Sequence, residues 1–199
     1  MKLYWAPGTC ALSPHIVAEE AGIALQLEKV DLKAKKTASG QDYNAINPKG
    51  YVPALELDDG DTLTEGPAIV QYLADQKPGT APAAGTRERY HLQEMLSYIN
   101  SEIHKAYSPL FKPTTPEATR QERIEYLKKR YALLEQRLAD HEYLVGEKFS
   151  PADAYLYTVT RWAGPLKIDL SAFPNLLAFQ QRIQARPKVQ AALKAEGIS

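Results

Sequence analysis

Apolar positions change their period partway along the chain. Before residue 80 alternation and helical spacing take turns, and after it only helical spacing is left. Lys2–Trp5 is a short strand-like stretch ended by Pro7-Gly8. From Ala11 to Ala21, Leu12, Ile16 and Val17 recur at helical spacing, and Gly22 stands where a left-handed cap would stop the helix. Gln26-Leu27-Glu28-Lys29-Val30 alternates polar and apolar, as a half-buried strand does. Asp42 to Ile46 predicts one helical turn before Asn47-Pro48. Ala54–Leu57, the turn Asp58–Asp61 and Thr62-Leu63 predict a hairpin. Pro67 then opens a helix carrying Ile69, Val70, Tyr72 and Leu73, at a position where its missing N–H costs nothing.

The resulting order, β-α-β-α-β-β-α in residues 1–79, predicts a small α/β domain with a thioredoxin-like sheet layered by helices. Residues 80–86, rich in Ala, Pro and Gly, are the linker. Residues 87–199 then predict an all-helical domain. Leu92, Leu96, Ile99 and Ile103 form one apolar stripe, and Ile124, Leu127, Tyr131, Leu134 and Leu138 form another on a second long helix. Ser150-Pro151-Ala152-Asp153 has the form of a capping box. The helix after it, with Tyr155, Leu156, Val159 and Trp162 and few charges, is expected to be central. Two further stretches, Leu176–Ile183 and Lys188–Leu193, close the chain near Gly197.

Composition narrows the function. Lys+Arg and Asp+Glu balance at 24 each in 199 residues, so a polyanion such as nucleic acid is not the expected partner. No apolar run approaches the roughly 20 residues of a membrane helix. Pro7-Gly8 interrupts the N-terminus before a signal-peptide core can form. A single cysteine makes neither an internal disulfide nor a zinc site, so no metal and a reducing, cytoplasmic setting are expected.

Four places can carry chemistry. Cys10 falls between a strand and a helix start, where unpaired amides and the positive end of the dipole favour a thiolate. Equally, a lone cysteine is often a small buried hydrophobe. Val52-Pro53 is either a plain turn or a cis bond that presents the Val52 backbone to an extended peptide. Glu65-Gly66, just before Pro67, is either a charge suited to the helix dipole or a place to hold an ammonium and a carboxylate. His104 lies on a polar stripe with Ser97, Ser101 and Ser108, spaced four, three and four, which reads as a solvated face or as the lining of a wet cleft. Lys35, one of three lysines with Lys33 and Lys36, reads by itself as solvated surface. Tyr4 and Ser13 are further hydroxyls near the thiol, and Trp162 and Tyr107 are candidate walls of an apolar pocket.

The ordered set Tyr4–His15, Asn47–Leu55, Leu63–Ile69 and Ser101–Lys105 resembles the bacterial beta class of glutathione transferases along essentially the whole chain. The resemblance implies that Cys10 lies by the glutathione sulfur and can form a mixed disulfide with it, and that His104 faces the same sulfur. It implies that Val52 and Pro53 hold the cysteinyl part, Glu65 and Gly66 the γ-glutamyl end, and Lys35 the glycyl carboxylate. Tyr51 stands where glutamine is common, and Ser97, beside Ser101, stands where an asparagine often reaches the partner subunit's glutathione. The implied protein is a homodimer with glutathione as co-substrate and no other cofactor. It would conjugate glutathione to small hydrophobic electrophiles, exchange glutathione disulfides through Cys10, or dehalogenate reductively. The alternatives are a binding or regulatory protein that keeps the fold without the activity, and a glutaredoxin-like reductase, which leaves the helical half unexplained.

Overall fold

A computed structural model describes residues 1–198. Its contacts divide the chain into two units, Met1–Ala81 together with the segment that begins at Arg186, and Pro82–Ala185.

The first unit is built on a five-stranded sheet. Its strands are β1 (Lys2–Trp5), β2 (Gln26–Asp31), β3 (Lys36–Thr37), β4 (Ala54–Glu56) and β5 (Thr62–Thr64), in the order β3-β2-β1-β4-β5. β1 runs parallel to β2 with Leu3 opposite Leu27, and antiparallel to β4 with Leu3 opposite Leu55. β4 and β5 make the predicted hairpin, with Leu55 opposite Leu63. β3 was not foreseen. It is only two residues long, one exposed and one buried, and so short a strand carries no periodic signal.

Helix α1 (Leu12–Ala21) ends where Gly22 takes φ of 70°. α2 (Tyr43–Ile46) is a single turn capped by the Asp42 carboxylate on the Asn44 amide. α3 (Gly66–Asp75) packs along α1. Leu3, Leu55, Ile16, Val17, Ile69 and Leu73 lie within the core of this unit, fully buried.

The sequence reading ran the helical domain to residue 199. The structure instead groups the last helix with the sheet-bearing unit, where it packs on α1. Polar side chains account for part of that allegiance. His15 Nδ1 lies 3.0 Å from Glu196 Oε1, both buried, and the half-buried Arg186 grips Glu20 through two nitrogens at 2.6 and 2.9 Å. Helical periodicity cannot reveal such a choice, because an apolar stripe does not say which neighbour covers it.

The second unit is helical throughout. α4 (Arg87–Tyr98) starts at a Thr86 cap and passes directly into a π-helical stretch, Ile99–His104, before α5 (Lys105–Tyr107) and a 3-10 turn, Ser108–Phe111. The long α6 (Glu117–Asp140) follows, then α7 (Pro151–Thr160), a 3-10 turn Arg161–Ala163, and α8 (Pro174–Gln184). The helix in the first unit, α9, covers Pro187–Glu196.

Leu92, Leu96, Ile99 and Ile103 are all buried, so the apolar stripe survives the passage from α to π geometry. All ten residues of α7 are buried, as its lack of charge predicts. Asp153 secures its start. One carboxylate oxygen accepts the Leu144 amide at 2.8 Å, and the other accepts the Ser150 amide at 2.8 Å and its hydroxyl at 2.7 Å. Burial still pushes the Asp153 carboxyl up to about 6, the hydrogen bonds opposing it only in part. No helix among the described residues is long and apolar enough to cross a membrane.

Candidate functional site

Cys10 sits in a turn between β1 and α1, and its carbonyl fixes that turn. The carbonyl accepts the Ser13 amide at 3.1 Å and the Ser13 hydroxyl at 2.8 Å. The amides that follow the thiol are already engaged, Ala11 with Thr9 Oγ1 at 3.4 Å and Leu12 with the Thr9 carbonyl at 3.3 Å. The expectation of unpaired amides beside the sulfur is therefore not met at these two positions. What α1 offers Cys10 is the positive end of its dipole, two residues downstream.

The thiol is half-buried and donates to the Val52 carbonyl at 3.4 Å. Val52-Pro53 is a cis peptide, as one of the two sequence readings required. The Val52 amide pairs with no acceptor among the described residues. The loop before it is pinned at Tyr51, whose carbonyl accepts Tyr43 Oη at 2.9 Å and Asn47 Nδ2 at 2.7 Å. Tyr43 is fully buried, so α2 anchors the loop that carries Val52.

Lys35 does more than solvate a surface. Its ammonium donates to the Gly50 carbonyl at 2.5 Å, and its backbone lies at φ of 55°. Gly50 itself needs positive φ, and a Cβ there would come within 3.2 Å of Asn44 Oδ1.

Glu65 occupies φ of 71° immediately before Gly66, the first residue of α3. Its carbonyl accepts the Ala68 and Ile69 amides at 3.0 Å each. Its carboxylate oxygen accepts both Lys49 Nζ and Tyr51 Oη at 2.6 Å. The Glu65 hydrogen bond pushes the Lys49 ammonium and the Tyr51 hydroxyl up from their usual ranges. Sequence reasoning singled out Tyr51 but missed its bond to Glu65. It missed Lys49 altogether, although Pro48-Lys49-Gly50 lies inside a segment already singled out.

The two nearby hydroxyls are structural. Tyr4 is buried and donates to Glu56 at 2.5 Å; burial first, then that carboxylate, drive its ionisation well above the usual tyrosine range. Ser13 is fully buried on the Cys10 carbonyl.

In the helical unit, His104 is the last residue of the π stretch and is part-exposed. Its Nδ1 lies 2.6 Å from Tyr155 Oη, which donates to Asn100 Oδ1 at 2.8 Å. The Trp162 indole packs edge-on to the imidazole with ring centres 4.9 Å apart. Tyr107 and Phe111 flank the same indole at 5.5 and 5.3 Å, so Trp162 belongs to a packed aromatic group and is only 8% exposed.

Ser97, Ser101 and Ser108 are all exposed. The groups joined to His104 are Tyr155 and Asn100 instead. The sequence reads Tyr155 as core, and Asn100, four residues before His104, shares a helix face with it but carries no signal that names Tyr155 as their common partner. Among the described residues, no group of three or more His, Cys, Asp or Glu side chains is arranged to hold a metal ion.

Comparison with known proteins gives one consistent result. Residues 8–76 match the family model described as the glutathione S-transferase N-terminal domain, and residues 98–187 match the C-terminal domain of the same name. The chain is 46% identical to glutathione S-transferase GstA of Escherichia coli O157:H7 over the full length of both. The ternary complex of BphK, a bacterial GST, superposes with a TM-score of 0.97 at 54% identity, covering 99% of this chain and all of the other. A sphingomonad glutathione S-transferase complexed with glutathione gives 0.96 at 47% identity, with both chains fully covered.

Proposed function

The chain belongs to the glutathione S-transferase family, and from that premise we propose that it works on glutathione's sulfur at a site centred on Cys10. One observation carries the reading. The lone thiol rests on the carbonyl of Val52, at the backbone that an extended peptide would pair with. Thiol chemistry and peptide docking therefore share one spot.

In this reading the cysteinyl part of glutathione takes the Val52 amide and carbonyl beside Pro53. The γ-glutamyl ammonium goes to Glu65, and its carboxylate to Gly66 at the start of α3. Lys35 serves the glycyl carboxylate, and Tyr51, through its bond to Glu65, shapes the γ-glutamyl end. Ser97 and Ser101, both exposed, are assigned to the neighbourhood of a partner subunit's glutathione in a homodimer. His104 manages the proton of the bound sulfur.

Two reactions follow. In conjugation, the glutathione thiol gives up its proton, and the thiolate forms a C–S bond with a small apolar electrophile as a leaving group departs or an activated double bond takes up a proton. In exchange, the Cys10 thiolate attacks one sulfur of glutathione disulfide. A Cys10–glutathione disulfide forms and a glutathione thiolate leaves. A second thiol then attacks the glutathione sulfur and returns Cys10 as thiolate. A thiol in this role suits a reducing cytoplasm.

Calorimetry with reduced glutathione tests the premise, since absence of binding at millimolar ligand would favour a fold kept without activity. Cys10→Ala and Cys10→Ser separate the two reactions. Loss of exchange with conjugation retained is expected if Cys10 is the exchange nucleophile, and full exchange in either variant would refute that role.

A further inference from the structure

His104 does not stand alone, and its partners decide which of its nitrogens is a base. Tyr155 has one hydroxyl proton to give. Its Oη donates to Asn100 Oδ1 at 2.8 Å, so the 2.6 Å contact with His104 Nδ1 must take its proton from the imidazole. The protonated nitrogen of a neutral histidine is set by what its ring nitrogens bond.

We infer that Asn100 and Tyr155 are positioning residues that hold neutral His104 as the Nδ1–H tautomer, leaving Nε2 as the proton acceptor. The inference rests on the proposed role of His104 at the bound sulfur. It gives that role a direction: neutral His104 takes the proton from the thiol at Nε2. The step balances as thiol plus imidazole giving thiolate plus imidazolium. Nδ1–H keeps its bond to Tyr155 throughout, so nothing has to rotate.

The fold supplies three reasons why this arrangement stays in place. Tyr155 is 1% exposed on α7, whose ten residues are all buried, so its hydroxyl has little freedom to choose other partners. Trp162 packs edge-on against the imidazole and limits its rotation. The π turn puts Asn100 and His104 on the same side of one backbone segment. Its widened geometry is visible in the Lys105 amide, which donates to the Asn100 carbonyl five residues back.

The test is the tautomer itself, read by two-bond 1H–15N NMR correlations of labelled full-length protein at alkaline pH, where the imidazole is neutral. The wild type is expected to show Nδ1 protonated and Nε2 not. Tyr155→Phe, which keeps the ring and its packing, is expected to shift the population toward Nε2–H, and Asn100→Ala to do the same to a smaller degree. Conjugation by Tyr155→Phe should fall about tenfold in kcat with the KM for glutathione within about twofold, and the acid limb of its pH profile should move.

Nε2–H in the wild type would overturn the inference, because it means the Asn100 amide is turned and the chain of donors runs the other way. An unchanged tautomer in Tyr155→Phe and Asn100→Ala would also overturn it. If Tyr155→Phe fails to fold, the wild-type spectrum and Asn100→Ala still decide. The glutathione-binding premise fails separately, by calorimetry, whatever the tautomer proves to be.

Discussion

In the sheet-bearing unit, the candidate groups hang on backbone turns: Lys35 and Glu65 sit at φ of 55° and 71°, and Glu65 is about half exposed. In the helical unit, His104 is held by side chains, Tyr155 from a wholly buried helix and Trp162 from an aromatic cluster. The first arrangement sets two charged side chains on backbone at unfavourable φ. The second holds one imidazole by a hydrogen bond and ring packing. In the proposed function, docking needs accessible backbone and proton management needs an unambiguous tautomer, and these tasks fall to different units.

The contrast can be broken most severely at Asp153, which holds the start of α7. Asp153→Ala strands the buried amides of Leu144 and Ser150, each costing on the order of 1–3 kcal/mol. A loss of about 4 kcal/mol is expected in urea denaturation. A loss below about 1 kcal/mol would mean that α7 does not depend on its cap.

The same residue gives the packed unit a pH signature. Its folded carboxyl titrates at about 6, above the unfolded value, so the folded chain holds the extra proton between the two. Stability should therefore fall as pH rises from about 4 to 6 and level off above that. Asp153→Asn should flatten this component of a denaturation series measured across that range.

Glu65→Gly sharpens the other side of the comparison because its two effects have opposite signs. Removing the carboxylate should weaken glutathione binding about tenfold. Releasing the φ of 71° should raise stability by about 1 kcal/mol. Paired calorimetry and denaturation read both, and parallel losses would show that Glu65 is structural rather than strained for binding.

The smallest change is expected from Lys49→Ala. Its ion pair with Glu65 is solvent-exposed, so the denaturation midpoint should stay where it is. Glutathione affinity should rise slightly, since a competing ammonium is gone from Glu65. A clear drop in affinity would instead give Lys49 a direct role in binding.

Most elements were legible because each carries a local signal. Gly22 and Gly197 cap helices in left-handed geometry, Pro67 lies in the first turn of α3, and the hairpin turns at Asp58–Asp61. Cys10, Val52-Pro53 and Glu65 were also legible as places of interest, since residue type and position at an element boundary suffice to single them out. Lys35 was not, because nothing local separates it from Lys33 and Lys36; only its bond to Gly50 does. Asn100 and Tyr155 were illegible for a related reason. Their meaning lies in a hydrogen bond spanning 55 residues, which no local pattern registers.

The sequence by itself determined the order of most elements, the caps that bound them, the lone thiol and the family. These rest on interactions within a few residues, or on motifs that survive as strings. Tertiary structure alone decided that the last helix belongs with the sheet, that Tyr4 and Ser13 are engaged elsewhere, and that His104 is ordered by Tyr155. In each case the deciding partner is distant in the chain, and an apolar stripe or a hydroxyl cannot name its neighbour until the chain has packed.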